Sequence, residues 1–197
     1  YNTYNKDTTT IATPNVPVTP SAPTQGARIH LCLEADQRTS GLLDALDRAN
    51  GWATFYCTRD FLESNGELLR RMVASGYAVG ILAESGEDIA EQLRRGNEAL
   101  YRATLGKTRL IYVPDAETTE LQALEETGWR CLKPSMNRAG YKLESSSNAS
   151  ALMKRVAARR GDVSVWLGTT ASAAGLREFV ISAQGAGHYC RAMTEIG

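Results

Sequence analysis

A chain of 197 residues with 43% hydrophobic content is long enough for one well-buried core and short for two. Its 22 Lys and Arg balance 22 Asp and Glu, so no global field draws in nucleic acid or an anionic membrane. No run approaches the roughly 18 consecutive apolar residues of a membrane span, and Cys32, Cys57, Cys131 and Cys190 form neither a CxxC pair nor a Cys/His cluster, which excludes a zinc knuckle.

Residues 1–26 are dominated by Thr, Asn, Pro and Ser, with Pro14, Pro17, Pro20 and Pro23 spaced through the second half. Little there can seed a core, so the segment reads as a Thr/Pro-rich linker or stalk without fixed structure. The chain opens on Tyr1 with no apolar signal core, as an excised mature segment would, and it is the Thr/Pro-rich stretch that leads to the expectation of an exported protein. From Ala27 to Gly197 the pattern predicts a single domain of alternating strands and helices. Strands are expected near Arg28–Glu34, Trp52–Cys57, Ala78–Leu82, Arg109–Val113, Trp129–Leu132, Val163–Leu167 and His188–Met193. Helices are expected at Ser40–Asn50, Asp60–Ser75, Glu87–Leu105, Thr118–Thr127, Ser147–Arg160 and Ala171–Gln184. Gly51, Gly76, Gly106, Gly128 and Gly161 stand where helices should stop, as glycines just beyond a helix end do. Such repeats imply a parallel α/β sheet, open or curled into an incomplete barrel, with any reactive surface at the C-terminal ends of the strands. Three of the four cysteines fall in apolar runs and are expected as core thiols, although an envelope location would permit disulfides.

The run from Gly51 to Leu82, GWATFYCTRDFLESNGELLRRMVASGYAVGIL, resembles the polysaccharide deacetylase pattern (NodB homology, carbohydrate esterase family 4), in which a strand ending in ATFF precedes a helix. Upstream, RIHLCLEADQ and LLDALDRAN are similar to that family's first strand, its TFDDGP motif and the helix after it. Downstream, EDIAEQLRRGNEALYRATLGKTRLIYVPDA and the closing GDVSVWLGTTASAAGLREFVISAQGAGHYCRAMTEIG resemble the later units. The resemblance implies an incomplete or distorted parallel (β/α) barrel of the polysaccharide-deacetylase type. It also implies that the chemistry has been lost. The family's two aspartates fall on Glu34 and Ala35, its two metal-binding histidines on Leu82 and Gly86, its RPPYG arginine on Tyr112 and its late histidine on Leu167. No metal or other cofactor is therefore expected, because a hydrolytic metal site needs deprotonated N or O donors converging on one ion. The two histidines of the chain, His30 and His188, are expected at the wrong end of the sheet.

Other groups remain at the predicted strand ends. Glu34, Asp36, Glu84 and Asp115 could form a rebuilt carboxylate site for a hard cation, or serve as caps and turn residues. Tyr112 and Trp166 could stack on a sugar ring or fill the core. No GxSxG elbow is present, and Gly185-Ala186-Gly187 precedes a strand and not a helix, so neither a nucleophile nor a phosphate loop is indicated. Three readings follow. The first is a catalytically inactive domain outside the cytoplasm that binds a cell-wall or extracellular polysaccharide. The second is an active hydrolase of N-acetylated glycans using the relocated carboxylates. The third is a structural domain whose shallow, apolar strand-end face is covered by an envelope protein partner.

Overall fold

A computed structural model describes residues 26–137 and 141–194; the expected linker, up to position 25, lies outside the described residues. Strands and helices alternate as β1 (Arg28–Glu34), α1 (Thr39–Ala49), β2 (Thr54–Cys57), α2 (Arg59–Ser64), α3 (Gly66–Ala74), β3 (Ala78–Leu82), α4 (Ile89–Thr104), β4 (Leu110–Tyr112), α5 (Thr118–Glu126), β5 (Arg130–Cys131), α6 (Ser146–Ala157), β6 (Val163–Gly168), α7 (Ala173–Gly185) and β7 (Tyr189–Cys190). The helix expected over Asp60–Ser75 is two helices. Thr58 caps the first by accepting a hydrogen bond from the Phe61 amide, and Asn65 breaks the run, its backbone at φ −130° and its side-chain amide donating to the Phe61 carbonyl. A short polar side chain that competes for backbone groups favours such a break. At the ends of α1 and α4 the left-handed position is held by Asn50 and Leu105, one residue before the glycines expected there.

The strands are parallel in the order β5-β4-β3-β2-β1-β6. β7 pairs with Arg28 and Ile29 of β1, while β2 pairs with Cys32 to Glu34, so the two share one edge of β1. On the side between the outer strands β5 and β6 the chain bridges to β6 at Met136, whose amide donates to the Ser164 carbonyl and whose carbonyl accepts from Trp166. The result is an incomplete parallel (β/α) barrel. All four cysteines are free thiols, and Cys32, Cys57 and Cys190 are buried.

Period-2 alternation divides the buried residues into two sets. Ile29, Leu31, Leu33, Phe55, Cys57, Val79, Ile81, Ile111, Val165 and Leu167 belong to the large core that the helices cover. Cys32, Tyr56, Leu110, Tyr112 and Leu132 form a second cluster on the concave side, with Leu82 and Trp166 packed against it. Room for the Tyr56 ring comes from Gly80, where a Cβ would lie 2.6 Å from ring carbons of Tyr56 and 3.0 Å from the Leu110 carbonyl oxygen.

Gly80→Ala is therefore expected to destabilise the protein by about 1–3 kcal/mol through overpacking. Gly41→Ala, on an exposed turn of α1 with no neighbour within 4 Å of the added Cβ, is expected to stabilise it by up to about 1 kcal/mol through helix propensity. Urea denaturation of both variants measures the contrast, and equal effects of the same sign would contradict the packing described.

Candidate functional site

At the C-terminal ends of β1 to β4 a cleft of about 620 Å³ opens, lined by residues that include Glu34, Arg59, Glu84, Asp88, Gln92 and Asp115. Its walls are the loops after β3 and β4, and side chains hold them. The Gln92 side chain on α4 accepts from the Glu84 amide at 3.0 Å and donates to the Glu84 carbonyl at 3.0 Å and to the Asp88 carboxylate at 3.1 Å. Asp115 accepts from the Ser85 amide at 3.0 Å, joining the β4 loop to the β3 loop. Below them the Ala83 amide donates to the Tyr112 carbonyl, continuing the β3–β4 ladder to the cleft floor.

Three of the four carboxylates singled out in the sequence thus meet at one cleft, in different states. Asp115 is used as a loop tie. The carboxylates of Glu34 and Glu84 have no hydrogen-bond or ion-pair partner among the described residues. Burial, followed by the nearby charge of Asp36, holds the Glu34 carboxyl above its ordinary pKa. Asp36 does not contribute to the lining. It accepts from the Arg38 amide at 2.8 Å, pairs with the Arg38 guanidinium at 3.5 Å, and its own amide donates to Thr39, organising the entry to α1.

The donor set does not suit a divalent ion. The positions that the sequence resemblance assigned to metal ligands carry Glu34, Ala35, Leu82 and Gly86, and among the described residues no three His, Cys, Asp or Glu side chains come together as a metal-holding group. His30 and His188 lie at the opposite end of the sheet. His30 Nδ1 meets the Arg191 carbonyl at 3.0 Å, and burial holds its imidazole below the ordinary pKa. His188 Nδ1 accepts from the Ala27 amide at 3.1 Å. Both histidines serve the seam between β1 and β7.

Tyr112 and Trp166 come from β4 and β6 and meet across the lumen with ring centroids 4.4 Å apart. Tyr56, which the sequence reading did not single out, completes the group at 6.1 Å from Tyr112 and 6.0 Å from Trp166 in edge-on geometry. Its hydroxyl is buried without a hydrogen-bond partner. Leu167, which the sequence resemblance set at the position of a late histidine, belongs to the core that the helices cover. A side chain there cannot reach the cleft, because alternation turns Trp166 and not its neighbour inward.

The resemblance seen in the sequence holds at the level of fold. A polysaccharide deacetylase from Bacillus cereus superposes with a TM-score of 0.72 at 14% identity, covering 86% of this chain and 93% of that one. A peptidoglycan deacetylase from Bacillus subtilis does so with a TM-score of 0.70 at 18% identity, covering 87% and 89%. A family 4 carbohydrate esterase from Streptomyces lividans, solved with acetate, gives a TM-score of 0.70 at 16% identity, covering 86% and 94%. No protein-family profile matches the sequence, and no curated protein does.

The raised pKa of Glu34 fixes the sign of one prediction. A carboxyl that holds its proton more tightly in the folded state favours folding at low pH, and that contribution is lost as pH rises through its folded pKa. Glu34→Gln is expected to raise the melting temperature at pH 7, with the gain shrinking as pH falls through the carboxylate range. A loss of stability at pH 7 in a melting series would contradict this.

Proposed function

We propose, from a scaffold shared with polysaccharide deacetylases, that this chain binds a cell-wall or extracellular glycan in its strand-end cleft without hydrolysing it. The observation that carries the reading is the cleft itself: it is concave, of a size that suits a small ligand, and lined by hydrogen-bonding side chains that do not gather into a metal-holding group. Carboxylates such as Glu34 and Glu84 accept strong charge-assisted hydrogen bonds from sugar hydroxyls. A partner-covered face would instead be shallow and apolar. On this reading the domain works without a cofactor, outside the cytoplasm, carried on the Thr/Pro-rich segment. Among the described residues no helix is long and apolar enough to cross a membrane.

With chelator present, the protein is expected to co-sediment with insoluble peptidoglycan or chitin and to release no acetate. Replacing Glu84 and Gln92 together by Ala should weaken retention about tenfold or more, since the first change removes a cleft carboxylate and the second removes the side chain that ties the Glu84 backbone. Acetate release that requires a divalent ion and disappears in Glu34→Ala would instead establish the rebuilt hydrolase.

A further inference from the structure

Beneath the cleft the barrel lumen is filled. Leu82 lines the cleft and also packs on the concave cluster of Cys32, Tyr56, Leu110, Tyr112 and Leu132, all of which are at most 7% exposed. The rings of Tyr56, Tyr112 and Trp166 are in mutual contact, and the groove that Gly80 leaves is taken by Tyr56. A bound sugar therefore rests on a closed floor. To read an N-acetyl group a site needs a recess for the methyl and a donor for the carbonyl oxygen, because a buried carbonyl left unpaired weakens binding. The rim here offers chiefly acceptors. Glu34, Asp60, Glu84, Asp88 and Asp115 face one guanidinium, that of Arg59, which donates to Asp60 at 3.3 Å and lies 3.9 Å from Glu63, its Nε buried and making no hydrogen bond among the described residues. The amide donors of Gln92 are taken by Glu84 and Asp88.

We infer that the cleft takes an amino-sugar polymer in its free-amine, cationic form in preference to the N-acetylated form. The inference rests on the glycan-binding reading and specifies its ligand. An ammonium carries three donors and no acceptor, which complements the unpartnered carboxylates of Glu34 and Glu84. The sugar body occupies the cleft volume and the amine meets the acidic rim. The reaction that supplies such a polymer is removal of N-acyl groups, the chemistry named for the solved neighbours of this fold.

Calorimetric titration of the protein in chelator, at about pH 6 where amines are protonated, compares a chitosan hexamer, the N-acetylated hexamer and oligolysine of matched charge. Chitosan is expected to bind at least about tenfold more tightly than either, with the margin over the N-acetylated hexamer shrinking at high salt and falling away in Glu84→Gln. Glu84 is exposed, so this variant keeps its fold; Glu34→Gln, checked by circular dichroism, is expected to act in the same direction. Equal or tighter binding of the N-acetylated hexamer would overturn the inference and leave the glycan reading standing. Oligolysine binding as tightly as chitosan would overturn it by showing charge recognition without sugar recognition. Failure of every sugar polymer to bind would overturn both.

Discussion

A parallel sheet that curls on itself encloses a narrow space, and side chains must fill it at the density of a protein interior. Here three rings do so. Tyr56, Tyr112 and Trp166 come from β2, β4 and β6 and meet edge-on or tilted, arrangements that suit the quadrupoles of aromatic rings. β4 and β6 are not neighbours in the sheet, so the 4.4 Å contact between Tyr112 and Trp166 ties opposite walls of the barrel. Met136 performs the equivalent task for the backbone, bridging to β6 across the side that lacks a strand pair. The ring stack converts the lumen into core, and whatever the protein recognises must sit above it.

That constraint places the chemistry at the rim. The loops that leave β3 and β4 are tied by Gln92 and Asp115, which leaves Glu34 and Glu84 to face the cleft without partners among the described residues. Keeping Glu34 ionised there at neutral pH opposes folding, as its raised pKa implies, and groups of that kind are commonly found where a protein binds something. On the proposed reading, acceptors at the rim above a filled interior serve the recognition of a polar chain on the barrel's surface.

The fold was largely legible in the sequence, for stated reasons. β1 and β3 are observed at the very bounds expected, because each is an apolar run closed by punctuation, and the sequence resemblance ordered the units correctly. Asn65 was harder to read: it sits in an amphipathic stretch whose apolar spacing continues through it, and its interruption depends on a side-chain hydrogen bond to Phe61. Glu34, Glu84 and Asp115 could be placed together from strand-end logic, whereas the Arg38 and Thr39 contacts of Asp36 are a local loop matter that spacing does not reveal. Tyr56 was missed because Thr54 to Cys57 are all buried. A strand covered on both faces shows no polar alternation, so nothing marks which residue looks inward. The signal that could have found it was Gly80 in the neighbouring strand, a glycine that makes space for a large ring.

The central claim is that this barrel keeps a ligand cleft without a resident metal, and thermal unfolding tests it most directly. The protein is melted in chelator, then with Zn²⁺, Mn²⁺, Mg²⁺ and Ca²⁺ added in turn. The account predicts the same melting curve throughout. A saturable stabilisation, about 2.7 kcal/mol at 100-fold excess over the dissociation constant, that disappears in Glu34→Ala would contradict it and make the cleft a metal centre.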